Sequence, residues 1–359
     1  MVIAVGVETD WGMWQLDVKQ TFIQANLEFE VFMKLRESCG NKSDRIVRLN
    51  KAMYGFKQGG RMSSKRLVEV LVNNVSMTQS KSEPCVFRLE RSGVVDMILC
   101  AHVDDVIVPG KSVECNSLFA ALRAEFQTTR GELKWYLGCS FWRDIVRGVA
   151  ASRNGHSLIL SFNVLTWKPS LTFLRLSRQI LGLGWRMRSC LTSLCARLGR
   201  DLNLSVYVDE DYADKSNWRR SVSGVAVMLG GGVVNATSTT QHCVTLSTSE
   251  AKYVVMAQGA KAALFTRAVL EFLQPQLSGR IITILEDNQG AKPMAENPTS
   301  AGRRKHIDLR YHFIRELIAR KLLRVEYKKG EDQPADILAK PLERGSFERH
   351  GRFLMNLPE

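Results

Sequence analysis

Met97-Ile-Leu-Cys-Ala-His-Val-Asp-Asp-Val-Ile-Val-Pro-Gly110 is the stretch on which the reading of the fold turns. An apolar strand rises into two adjacent acids, Asp104 and Asp105, and a second apolar strand leaves at once. As a hairpin, this sets two carboxylates on a tight turn held by buried flanks. Acids forced together repel, so the arrangement is favourable mainly when a divalent cation sits between them. A solvated Asp-Asp turn is the plainer alternative, and a lone pair of acids does not decide between the two. A third acid upstream in a matching context, and four more in the second half of the chain, weigh for the cation.

Outward from the hairpin, Trp14-Gln-Leu-Asp-Val-Lys-Gln-Thr-Phe22 reads as a strand ending in an acid, which makes Asp17 the third carboxylate. Arg45 to Leu49 reads as a strand, and a glycine-bearing segment, Ala52 to Arg61, follows. Its glycines beside Lys57, Gln58 and Arg61 allow close approach of the backbone to a phosphate or base, or simply form a loop before a helix. Apolar spacing predicts helices over Ser63–Val75 and about Glu114–Phe126. Cys85 to Leu89 and Leu133 to Asp144 complete this part of the chain.

Residues 145–203 keep neither a period of two nor one of 3.6, and carry nine Lys and Arg against one acid. Such a segment is either a basic linker able to grip a nucleic-acid backbone or an eroded connection left by a deletion or altered frame.

Beyond it, Leu204–Asp209 is a strand ending in an acid, and Gly230-Gly231-Gly232 joins two further strands as a hairpin. A long helix is expected from Leu246 toward Phe272, with Ser247 and Glu250 at capping-box spacing. A strand from Ile281 runs to Leu285, just before Glu286-Asp287-Asn288-Gln289. A helix over about Ile307–Leu322, a last strand at Leu323–Tyr327 and a helix opening at Gln333-Pro-Ala-Asp336 follow. Strand ends and helix starts thus deliver Asp209, Glu250, Asp287 and Asp336, with simple helix capping as the plainer role of Glu250.

The whole is 359 residues with a net charge of +14 and a sequence pI near 9.5, which suits a polyanionic partner, nucleic acid before an anionic membrane surface. The eight cysteines are scattered without any C-x-x-C pair, which argues against a zinc site and a disulfide framework. No stretch of about 18 apolar residues is present, and the apolar start lacks a basic region before it, so a soluble, untargeted chain is expected.

Four motifs in order, Asp17-Val-Lys-Gln-Thr-Phe22, Tyr54-Gly-Phe-Lys-Gln58, His102-Val-Asp-Asp105 and Tyr136-Leu-Gly138, resemble the reverse transcriptase of copia-type retrotransposons. A second series is similar to the RNase H of the same elements. It comprises Asp209-Glu-Asp-Tyr-Ala213, Leu246-Ser-Thr-Ser-Glu-Ala251, Asp287-Asn-Gln289, Lys305-His-Ile-Asp308 and Ala335-Asp-Ile-Leu338. The fold implied is mixed α/β and α+β: a polymerase palm over 1–144, truncated at its N-terminus, an eroded basic connection over 145–203, and an RNase H-like α/β domain over 204–359.

By the resemblance, Asp17, Asp104 and Asp105 hold Mg2+ (or Mn2+) for RNA-directed DNA polymerisation, and Gln58, Gly59 and Arg61 lie along the incoming nucleotide and template. Asp209, Glu250, Asp287 and Asp336 bind Mg2+ for cutting RNA in a hybrid. Asn288, Gln289, Arg304 and His306 are candidates for binding nucleic acid, with the basic run at Arg303–His306 either facing the hybrid backbone or forming a solvated, charged helix start. The implied partners are an RNA template, a DNA primer and an RNA–DNA hybrid, with no membrane, and the implied setting is the cytoplasm, the nucleus or both. Lys252 stands where the family usually has Glu, outside the ligands expected here. Cleavage is expected to be better retained than polymerisation, and the alternative is an inactive relic that binds nucleic acid through its charge.

Overall fold

The computed structural model describes residues 1–19, 26–51, 59–136, 139–144, 149–153, 203–212, 219–245, 247–288 and 305–354. The chain divides into two bodies, Thr9–Leu137 and Gly138–Glu359, with Ile3–Glu8 grouped with the second. Most of the expected connection, 145–203, lies outside the described residues.

The elements of the first half are α1 Val2–Glu8, β1 Gly12–Val18, β2 Asn26–Lys34, β3 Ile46–Lys51, α2 Gly59–Glu69, β4 Thr78–Gln79, β5 Val86–Arg91, β6 Val94–His102, β7 Asp105–Gly110, α3 Ser112–Glu125, β8 Thr128–Glu132 and β9 Trp135–Tyr136. Strands β4-β5-β6-β7-β1-β8 form one sheet in that order, and β2 pairs with β3. The expected hairpin is there, with its register closing on His102 opposite Asp105. Side chains alternate across a strand, so Leu16, Val18, Val106 and Val108 enter one core together with Met97, Leu99 and Ala101. Helix α2, its wider last turn Val70–Asn74, and α3 cover that face through Leu67, Leu71, Leu118 and Leu122. Helix α2 starts four residues before the predicted Ser63, at the glycine pair Gly59-Gly60.

The second half comprises a hairpin of β10 Cys139–Asp144 and β11 Val149–Arg153, then β12 Leu204–Asp211, β13 Val222–Leu229, β14 Gly232–Thr240, α4 Thr248–Leu273, β15 Ile282–Glu286, α5 Lys305–Ala319, β16 Leu323–Tyr327, α6 Asp336–Ala339 and α7 Arg344–Leu354. The sheet order is β14-β13-β12-β15-β16. The first three strands are antiparallel, whereas β12, β15 and β16 run parallel. Parallel neighbours need a crossover, and α4 and α5 provide the connections. The β13–β14 turn passes through Gly230 and Gly231 at φ 57° and 85°, as the glycine run predicts. Ser247 caps α4 by accepting a hydrogen bond from the Glu250 amide at 3.2 Å. The single helix expected from Gln333 is instead two, α6 and α7, broken at Pro341, which cannot continue a helix interior.

The mixed α/β and α+β fold class stands: a sheet with helices on one face in the first body, and in the second a three-strand antiparallel meander extended by two parallel strands. Among the described residues no helix is long and apolar enough to cross a membrane.

Candidate active sites

In the first body, β1 lies antiparallel to β7 with Asp17 directly opposite Asp105. Because Leu16, Val18 and Val106 point into the core, the alternation turns Asp17 and Asp105 to the other face. Val103 takes φ 55°, a left-handed turn conformation unusual for a β-branched residue. The Asp104 carbonyl accepts from the Val18 amide at 3.0 Å, which ties the hairpin tip to the end of β1. Burial and then the charge of Asp17 push the Asp105 carboxyl above its ordinary range, with a hydrogen bond from Gln15 and the His102 charge acting the other way. Asp104 Oδ1 is buried without a hydrogen-bond partner. Three oxygen-donor side chains at one strand-and-turn junction, one with an orphaned oxygen, are of the donor type that a hard divalent cation takes, although as placed they do not close around one. Gln58 lies outside the described residues. Gly59 and Arg61 fall in the first turn of α2.

In the second body the acids gather at the carboxyl ends of the parallel strands β12 and β15, a usual place for a site in an α/β sheet. Asp209 is 1% exposed, and its register partner on β13 is Gly224. A Cβ at Gly224 would stand 2.5 Å from the Ala335 carbonyl oxygen and 2.9 Å from the Ala339 amide nitrogen. The missing side chain therefore lets α6 reach the sheet and bring Asp336 to Asp209. Lys340 links the two, 3.2 Å from Asp209 Oδ2 and 3.1 Å from Asp336 Oδ2. On the far side α4 presses Gly259 onto Val206 and Val208 of β12. Seven residues earlier on the same helical face, its side chain Lys252 enters the acid group. Its ammonium is 2.8 Å from Glu286, 3.3 Å from Glu210 and 3.8 Å from Asp209, and hydrogen-bonds Asp287.

The titrations follow from this crowding. Burial, then hydrogen bonding and repulsion by Asp336, push Asp209 up to about 7. Burial pushes Glu210 up to about 8 against the pull of Lys252, and holds Glu286 well above its ordinary value. Asp287 goes the other way: burial opposes ionisation, but hydrogen bonds from Glu286 and Lys252 and the lysine charges outweigh it. Burial works against the Lys252 ammonium, yet the charges of Glu286 and Glu210 hold its titration above the ordinary lysine range.

Asp209, Asp287 and Asp336 therefore share one pocket, as the sequence leads one to expect. Two residues along an α-helix is roughly 200° of rotation, so the face that carries Lys252 to the acids turns Glu250 away. The helix thus brings a cation, Lys252, in among the acids, and a pocket so filled does not fit a magnesium site. Among the described residues of either body, no group of three or more His, Cys, Asp or Glu is placed so that it could hold a metal ion. Asn288 follows Asp287 at the end of β15, and His306 lies in the first turn of α5; Gln289 and Arg304 fall outside the described residues.

Sequence reading missed Glu210, Glu286, Lys252 and Lys340. A signal for Lys252 was available: it shares the i, i+4, i+7 stripe with Met256 and Gly259, whereas Glu250 does not.

A sheet of this order with its acids on the hairpin and the neighbouring strand is palm-like, and the second body is RNase H-like. Comparison with known proteins agrees with the first and extends over both. Residues 1–156 match the family model for reverse transcriptase (RNA-dependent DNA polymerase). The Pol polyprotein of transposon RE2 from Arabidopsis thaliana is 29% identical, over 98% of this chain and 28% of its own length. That of transposon TNT 1-94 from Nicotiana tabacum is 25% identical, over 97% of this chain and 31% of its own. Solved structures resemble it more distantly. A foamy viral protease–reverse transcriptase with RNA/DNA hybrid gives a TM-score of 0.48 at 13% identity, covering 94% of this chain and 47% of its own. An RNase H1 isolated from compost gives 0.30 at 12%, covering 41% and 97%. Residues 1–156 thus match a reverse transcriptase family model, and the chain as a whole is similar to retrotransposon Pol polyproteins. It spans under a third of the length of those two polyproteins.

Proposed function

We propose that the first body carries out RNA-directed DNA synthesis, with Asp17, Asp104 and Asp105 holding two Mg2+ ions, or Mn2+ in their place. The observation that supports this is the register of β1 on β7, which sets Asp17 against Asp105 beside an Asp104 oxygen that has no partner of its own. Bound there, paired ions supply activation of a primer 3′-hydroxyl and charge stabilisation at the departing pyrophosphate. The chain's own part is to hold the acids rigidly: the apolar flanks of β6 and β7 are buried, and the Val18 amide pins the turn. Gln58, Gly59 and Arg61 are assigned to the incoming nucleotide and template. The partners are an RNA template, a DNA primer and their hybrid, in keeping with the +14 charge.

For the second body we assign hybrid binding, with Asn288, Gln289, Arg304 and His306 toward the backbone. The cleavage role that the resemblance gives to Asp209, Glu250, Asp287 and Asp336 has less support than binding, because Lys252 stands among the acids. This reverses the expected ranking of cleavage over polymerisation.

Primer extension by the full chain on an RNA template tests the reading. Extension that needs Mg2+, stops with chelator and disappears in Asp104→Asn is expected. A folded chain that binds the primer–template and never extends it overturns the proposal.

A further inference from the structure

A lysine ammonium has three N–H donors. Those of Lys252 bond the carboxylates of Glu286 and Asp287, and the ammonium stands 3.3 Å from Glu210 and 3.8 Å from Asp209. Lys340 engages the remaining pair, Asp209 and Asp336. Of the four acids that the resemblance assigns to metal, three, Asp209, Asp287 and Asp336, are therefore already held by a lysine. Two of the acids around Lys252, Glu210 and Glu286, are buried glutamates outside that assignment.

We infer that the Lys252 ammonium is the resident cation of the second body's acid pocket, taking the place of a divalent metal and leaving this body an RNase H-like scaffold without metal-dependent cleavage. The inference rests on the RNase H-like reading of that body and is independent of the polymerase reading of the first. An ammonium tethered to α4 loses no translational freedom on entering the pocket, whereas a free ion does. It also spends its donors on the carboxylates that a metal would need. A magnesium ion would have to expel this group while keeping its own demanding octahedral shell. The pocket still draws positive charge, however: Glu286, 1% exposed, keeps its Oε2 without a hydrogen-bond partner, as Asp336 does its Oδ1. Removal of the ammonium should therefore convert the pocket into a binding site for a free cation.

Iron(II) in place of Mg2+, with ascorbate and peroxide, cuts backbone near where it binds, and mass spectrometry of the full chain reads the positions. In the wild type, cuts are expected near Asp17 and Asp104–Asp105 and none near Asp209, Asp287 or Asp336. Lys252→Gln and Lys252→Glu should each add cuts near those three. Wild-type cuts beside Asp209 and Asp287 at the same iron concentration overturn the inference, and this arm stands even if a variant fails to fold. Folded variants that gain no cuts there overturn it too. Loss of the cuts near Asp104 in every protein counts against the polymerase reading alone.

Discussion

In the first body Asp17 and Asp105 face each other across two strands, offset by a hydrogen bond from Gln15 and the charge of His102. In the second, five acids crowd the ends of β12 and β15 and the start of α6, and two lysines run in among them. The first arrangement leaves repulsion for something else to relieve; the second relieves it from within. Acid placement alone therefore does not define a metal-dependent centre. What neutralises the acids decides, and that partner is contributed here by a helix far along the chain from the strand it serves.

The largest effect that would sharpen this contrast is at the hairpin. Asp104→Asn removes a ligand charge, and metal stabilisation of a developing charge is worth several kcal/mol. Polymerisation should fall by about a thousandfold at about 1.4 kcal/mol per decade, measured by single-turnover primer extension. A loss of less than about tenfold would remove Asp104 from the chemistry.

Next in size is Lys252→Ala. Stripping one partner from a buried ion group strands the other charges, at a cost of about 3–5 kcal/mol. Hydrogen exchange of the β12, β15 and α4 amides in the full chain should lose that much protection, while β6 and β7 keep theirs. Adding Glu286→Gln should recover part of it. Unchanged protection in Lys252→Ala would mean that the acids are already neutral without the ammonium.

The same acids fix a pH dependence in chelator. Asp209 and Glu210 titrate near 7 and 8 in the folded chain, against ordinary values of 3.8 and 4.5. The folded state binds protons that the unfolded chain has released. Their stabilisation is complete below about pH 4 and is lost as pH rises through about 7 to 8. Asp287, shifted down, opposes this only at the acid end, since its contribution disappears as pH falls. Protection of β12 should thus decline by roughly 1–3 kcal/mol between mildly acidic and mildly alkaline buffer. A rise over that window would contradict the crowding described here.

Gly224→Ala tests the seat of α6. The added carbon must displace the Ala335 carbonyl, and overpacking of this kind costs about 1–3 kcal/mol. Loss of protection confined to α6 and β13 is expected. The smallest change is Glu250→Ala. An acid in the first turn of an exposed helix end is worth about 0.3–1 kcal/mol. Its removal should cost no more, with the iron-cut pattern unaltered; a pattern that shifts would return Glu250 to the site.

Much of this was legible from residue order. The Asp-Asp hairpin, the glycine turn at 230–232 and the Ser247 cap each depend on local chemistry, and each stands in the structure. The convergence of Asp209, Asp287 and Asp336 was also readable, because strand ends and helix starts point acids toward one edge of a sheet. Lys252 was hidden behind Glu250 for a physical reason. A capping spacing and a ligand position look alike in sequence, and only the pitch of α4 over β12 distinguishes which side chain turns inward. Glu210 and Glu286 were hidden because a buried acid next to another acid reads as a solvated strand end until its partner is in place. The division of the last helix at Pro341 is visible in the sequence, since proline removes a donor and clashes with the preceding turn.

The glycine opposite Asp209 has a consequence for synthesis. Asp209 belongs to the first strand in chain order of its five-stranded sheet, whereas the aspartate that Gly224 admits beside it, and the lysine that joins the two, are near the far end of the chain. The ribosome releases β12 long before α6. Until residues through Lys340 have emerged, Asp209 lacks the neighbouring Asp336 and the lysine that bridges them, and the surface around Gly224 is bare. Such distant closure is slow and leaves partly assembled sheet open to wrong pairing. The nascent second body should therefore pass through a stage with a formed meander and an unclosed pocket, visible as protease-sensitive chains arrested before residue 336.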